Sequence, residues 1–225
     1  RDFLSTEPET PRETVIGKQW FSFLLWGRLS YDPGLPEELF RTIVAKRFPE
    51  VPGDTLYQAW ADASKVFPLI TRFFWGDIDV RWMPEACLSH PRHRGFYTVR
   101  HFVEGDSMPG SGVLNIVDWR KRMLAGQPMN ATTPLEIAAA LEKHAAAGLK
   151  QAAALRGRQG ASKELRLTLG DMEAMSHLGN YYAAKIRGAA ELALFDASSE
   201  KARREAAIGH LQRALEHWKR YARAY

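Results

Sequence analysis

The chain has 225 residues, 45% of them hydrophobic, enough to bury the core of one large domain or two small ones. Its lone cysteine, Cys87, excludes an intrachain disulfide framework, and no apolar run reaches the ~20 residues that a membrane-spanning helix needs. The formal charge is +5, and Lys and Arg gather at residues 201–223, where they interleave with Glu200, Glu205 and Glu216 around an apolar stripe. That is the pattern of a solvated helix face; without a helix-turn-helix, zinc-finger or stacking-platform motif beside it, no nucleic-acid partner is expected.

Residues 1–13 are polar and proline-punctuated and read as a connector, with further chain expected upstream of Arg1. No signal peptide is visible; a soluble protein is expected, periplasmic or secreted if a leader preceded Arg1. Residues 20–36, WFSFLLWGRLSYDPGLP, crowd Trp20, Phe21, Phe23, Leu24, Leu25 and Trp26 into two helical turns, so apolar surface faces nearly every direction. Such a helix belongs between layers, and this one carries more apolar surface than the chain can hide for itself. Gly27 is expected to permit a close backbone approach, and Tyr31-Asp32-Pro33-Gly34 closes the segment with turn chemistry.

A second helix is predicted from Pro36 to Phe48 with Leu39, Phe40, Ile43 and Val44 inward, and a third from an Asp54 N-cap through Leu56, Trp60, Val66 and Ile70, kinked or split by Pro68. Periodicity then fails over residues 75–112, although FYTVRHFV could form a short strand. A short helix follows over residues 113–124 with Ile116, Trp119 and Leu124 inward. Thr133-Pro134-Leu135-Glu136 is a capping box that opens an alanine-rich helix to about Leu155. The last two helices are predicted as an antiparallel hairpin. The first starts after Ser162, breaks near Gly170-Asp171 and carries Met172, Leu178, Tyr182 and Ile186. The second is capped by Ser199 and carries Ala207, Leu211, Ala214, Leu215 and Trp218.

The expected fold is therefore all-α: an array of antiparallel helices with one long aromatic-rich irregular segment at about 75–112. An aromatic-rich subdomain over 1–125 would precede a helical-hairpin subdomain over 126–225.

The chemistry-bearing residues concentrate in the irregular segment. His90, His93 and His101 with Asp77, Asp79 and Glu85 suggest a metal, but Pro91 keeps the first two histidines off one helical face and the spacing matches no ligand pattern, so no metal is expected. Asp77 with Asp79, or Glu104 with Asp106, could be read as a glycosidase carboxylate pair. With no βα alternation to present them, they read as structural, and no catalytic residue is assigned. Ser89, Ser107, Ser111 and Cys87 lack a nucleophile context, and residues 105–112 are not a phosphate loop, so no cofactor is expected. Ligand lining is the sharper reading. Trp75, Trp82 and Tyr97 offer flat faces to sugar rings, while Asp77, Arg81, Arg94, Arg100 and His101 supply polar contacts, the cations suiting an acidic sugar. The alternative use of the same aromatics is to fill the gap between helical layers.

The stretch Gly27-Arg28-Leu29, Tyr31, Pro33, Leu35 after an aromatic helix resembles the α-glucuronidases of glycoside hydrolase family 67 and their large bacterial carbohydrate-active relatives, as do FYTVRHFVEGDSMPGSG and LGNYYAAKIRGAAELALF. In that family the stretch follows a catalytic (β/α)8 barrel and leads into a helical C-terminal domain with subunit contacts. The resemblance implies a C-terminal accessory domain of a glycosidase. Its partners would be an upstream barrel of the same protein, a carbohydrate ligand and a second copy in a homodimer. The barrel's catalytic carboxylates have no counterparts here, so the chain alone is not expected to turn over substrate. A rival reading is a tetratricopeptide-type interaction module, supported by the final hairpin and opposed by the lack of a 34-residue period.

Overall fold

The structure is a computed structural model that describes residues 15–75, 98–157 and 161–224. Ten helical segments are present among them: α1 (Val15–Lys18), α2 (Trp20–Tyr31), α3 (Glu37–Arg47), α4 (Gly53–Ser64), α5 (Val66–Phe73), α6 (Val99–Glu104), α7 (Ile116–Leu124), α8 (Pro134–Arg156), α9 (Lys163–Ser198) and α10 (Lys201–Ala224). The described residues contain no strand. Two isolated bridges, Trp75 with Asp106 and Val113 with Thr132, are the sheet-like pairings among them. The fold is all-α, and no helix among the described residues is long and apolar enough to cross a membrane.

The long helix α9 is the spine. Its 36 residues extend ~54 Å, and α8 and α10 pack along it on either side. Small residues make that possible: Ala183, Ala184, Ala189, Ala190 and Ala193 are buried, a Cβ on Gly148 of α8 would come within 2.5 Å of Ser176 Oγ, and one on Gly188 within 3.0 Å of Leu211 of α10. The Gly170-Asp171 break does not occur, because helix runs through both residues. At the other end Ser199 is not the cap of α10. It sits in the left-handed region at φ 59° and closes α9 by donating its N–H to Phe195 O.

Other local expectations also meet the tertiary structure. The capping box is present, Thr133 N–H and Oγ1 both reaching Glu136 Oε2, and it holds the Glu136 carboxyl below its usual range. The predicted third helix splits at Lys65, three residues before Pro68, which leaves the proline in the first turn of α5 where no N–H is required. Asp54 is not the N-cap of α4; the helix already starts at Gly53. Residues 99–104 are helix α6, not part of a strand. Leu124 and Leu215 are exposed and leave the inward stripes, although Trp218 and Tyr221 pack inward beyond Leu215.

Two hydrophobic clusters form the interior. One joins α5, α6 and α7 to α8 and α9 around Ile70, Phe102, Ile116, Leu141, Tyr182 and Ile186. The other joins α2, α3 and α4 to the far end of α8 and the start of α9 around Phe48, Leu56, Leu155 and Leu165. Both clusters therefore take residues from before and after position 125. The described helices range from four to 36 residues and do not form equal stacked hairpins, unlike a tetratricopeptide array.

Candidate functional site

The site begins where α5 ends. Gly105 follows α6 in a place that only glycine fits, since a Cβ there would stand 2.6 Å from the Phe74 ring and 2.8 Å from His101 O. This close approach lets the chain run back along the end of α5. Trp75 N–H donates to Asp106 O at 2.8 Å, and Met108 N–H donates to Arg72 O at 2.9 Å. Gly110 and Gly112, at φ 74° and 70°, then turn the chain toward residue 132, where Leu114 N–H donates to Thr132 O and Thr132 N–H to Gly112 O, both at 2.9 Å. Asn115 closes the loop by capping α7, its Oδ1 accepting from Asp118 N–H at 2.8 Å.

The walls so made border an open cleft of about 430 Å³ lined by Trp75, Asp106, Ser107, Leu114, Asn115 and Asp118 among others. Trp75 is half-buried at its side. Ser107 Oγ is buried and has no hydrogen-bond partner. Asp118 has a cation within reach, Lys121 Nζ at 3.6 Å, but both groups are exposed. No Lys, Arg or His is among the described lining residues.

The residues singled out in the sequence fare differently. Trp75 lines the cleft. Arg100 donates to Asp196 at the C-terminal end of α9, and this hydrogen bond raises its pKa. His101 serves the start of α6: its Nδ1 accepts from Thr98 N–H at 2.9 Å and completes a capping box. Asp77, Arg81, Trp82, Arg94 and Tyr97 lie outside the described residues, as do Asp79, Glu85, His90 and His93. Among the described residues no three His, Cys, Asp or Glu side chains converge as a metal site would require. Sequence reasoning missed Asn115 and Asp118 and set Ser107 and Asp106 aside. The available signal was the MPGSG turn followed by an N-cap asparagine, which together fold one wall of the cleft.

A second surface feature lies on α2. One side of this helix packs well: Phe21 is 4.9 Å from Trp60 between ring centroids, Trp20 meets Trp60 edge-on at 6.1 Å, and the Arg47 guanidinium lies 4.4 Å over the Trp20 ring. The other side is bare. Trp26 is 75% exposed and Phe23 47%, and Leu29 is exposed beside them at three-residue spacing; Tyr31, 94% exposed, ends the helix and lies round from this row. The close approach expected at Gly27 is not made, since nothing lies within 4 Å of the place its Cβ would take.

Two histidines elsewhere each bury one ring nitrogen without a partner. His177 on α9 and His217 on α10 lie 6.3 Å apart between ring centroids, and the Nδ1 of each is buried and makes no hydrogen bond. Burial pushes both pKa values down, and the Arg220 charge adds to this.

No protein-family profile matches the sequence, and no curated protein does. Among solved structures the chain is similar to a GH138 enzyme targeting pectin rhamnogalacturonan II, with a TM-score of 0.76 at 15% sequence identity. The likeness covers 94% of this chain but 32% of that one, so the chain spans about a third of the enzyme's length. It shows a helical fold shared with part of that enzyme and does not single out family 67. The fold described above is one that a larger carbohydrate-active enzyme carries as part of its chain.

Proposed function

We propose that the chain is an accessory helical domain of a glycoside hydrolase, and that a catalytic body of the same parent protein docks on the exposed face of α2. The observation that carries this reading is the bare row of Phe23, Trp26 and Leu29, at three-residue spacing on a helix whose opposite side is packed through Phe21. A patch of this kind on a folded domain is a contact surface by default. Aromatic side chains bury ~150–250 Å² each, so covering this row is worth on the order of several kcal/mol. The fold likeness to part of a longer GH138 enzyme supports the choice of partner. The aromatic helix and its Gly27-Arg28-Leu29 sequel support α-glucuronidase-type chemistry for that partner.

The test has two parts. The purified 225-residue chain is assayed with aryl α-glucuronides, where no turnover is expected; turnover would show that the chain is itself the enzyme. Phe23→Ser/Trp26→Ser is then compared in the chain alone and in the parent protein. The chain alone should keep its melting temperature and bind less hydrophobic dye, while the parent should lose stability. A parent protein indifferent to the double substitution would remove α2 as the docking face.

A further inference from the structure

We infer that the far end of α2 is a peg, held on opposite sides by an apolar groove in the catalytic body of the parent protein. This rests on the docking reading above and deepens it by giving the shape and chemistry of the partner surface.

The helix outruns the body it packs on. Seven residues make two turns less ~20°, so residues seven apart lie on nearly the same side of a helix. Phe21 is buried and Leu24 packs on the cluster around Phe48 and Leu56, yet the residues that follow them on the same side, Arg28 and Tyr31, are exposed, Tyr31 at 94%. All nine residues from 26 to 34 are exposed, and packing resumes at Leu35. From Trp26 to Tyr31 the helix turns through about 500°, which leaves these two bare rings about 140° apart around its axis. Leu29 is exposed on the Trp26 side, and nothing lies within 4 Å of the place a Cβ on Gly27 would take. One flat surface cannot cover both rings; a groove can.

The projecting end is also ordered in advance. Asp32 N–H donates to Arg28 O at 2.9 Å and closes the last turn, and Gly34 N–H donates to Asp32 Oδ1 at 2.9 Å and holds the reversal. Leu24 and Leu25 anchor the chain on its way out, and Leu35 anchors it on the way back. A preformed helix end with apolar anchors is what helix-in-groove recognition uses, and prior order lowers the entropy lost on docking. Area selects the occupant. At their exposures Phe23, Trp26 and Tyr31 offer roughly 300–550 Å² of ring surface, short of the ~800 Å² per side found between free proteins that associate stably. A second copy gripping this end alone would therefore hold poorly. A body on the same chain meets the peg at high effective concentration and needs less area.

The test is cysteine protection. In a Cys87→Ser background, Ser30→Cys on the Trp26 side and Arg28→Cys and Tyr31→Cys on the other are treated with a maleimide, in the 225-residue chain and in the parent protein. Labelling at each site is read by peptide mass. In the chain alone all three should react as fast as an exposed thiol, and in the parent all three should slow by at least about tenfold. Slowing at Ser30→Cys alone would overturn the groove and leave docking on α2 standing, whereas fast labelling at all three sites in the parent would remove both. Slow labelling already in the chain alone would also overturn the inference. Protection lost on dilution would then make a second copy the occupant, and protection that survives dilution would make it another segment of this chain.

Discussion

Gly53 opens α4 so close to α3 that a Cβ on it would stand 2.3 Å from Ala45 Cβ and 2.7 Å from its Cα. Both obstacles are short and rigid, so the helices would have to part. Gly53→Ala is therefore expected to destabilise the chain by about 1–3 kcal/mol, despite the better helix propensity of alanine, and urea denaturation will measure it. At Ser199 the sign reverses. This residue holds φ 59° without being glycine, and Ser199→Gly should raise stability by up to ~1 kcal/mol in the same measurement. Neither effect can be read locally. Gly53 follows Val51-Pro52 and looks like turn punctuation, and only the presence of Ala45 from another helix makes it obligatory. Ser199 looks like a serine N-cap, yet the chain needs a left-handed residue there to bring α10 back along α9.

Helices whose ends are set by nearby residues were legible, and those whose limits come from distant contacts were not. The Thr133-Pro134-Leu135-Glu136 signature fixed the start of α8 because all its partners lie within four residues. Continuous helix through Gly170 depends on packing of α9 against its neighbours, which no local rule reports. The cleft was half legible: the irregular segment and Trp75 stood out, while Asn115 and Asp118 belong to a wall assembled by the pairing of residues 112–114 with 132. The α9–α10 pair also has a pH dependence. His177 faces Glu173 on its own helix and Arg220 and His217 on α10, and burial lowers the pKa of both histidines, with Arg220 adding to the effect. In the unfolded chain they titrate near the ordinary value of ~6.5. As pH falls through that value the unfolded state takes up protons that the folded state refuses, so stability is full above it and declines until the lower folded pKa values are passed. Melting temperatures at pH 7.5, 6.5 and 5.5 should fall in that order, and His177→Gln should flatten the trend; an unchanged slope would locate the titrating groups elsewhere.

Across the whole molecule, α8 and α9 each run through both hydrophobic clusters, and this decides how the chain unfolds. The cluster around Phe48 and Leu56 contains Ala152 and Leu155 of α8 with Leu165 and Leu169 of α9, while the cluster around Ile70 and Phe102 contains Leu141 of α8 and Tyr182 of α9. Polar contacts cross the same region: Asp62 of α4 is buried, lies 2.9 Å from His144 Nδ1 and accepts from Gln151 Nε2 at 3.3 Å, which ties α4 to α8. Melting one cluster would expose one half of each shared helix while the other half stayed packed, leaving the buried Asp62 without its partners. One cooperative transition is the expected result. Leu56→Ala in one cluster and Leu141→Ala in the other, both at fully buried positions, should each cost about 2–5 kcal/mol. Each should move the same single transition, seen together by far-ultraviolet circular dichroism and by tryptophan fluorescence. If Leu56→Ala instead splits the curve, with fluorescence from the Trp20 and Trp60 region changing before the helical signal, the clusters are separate units and α9 does not couple them.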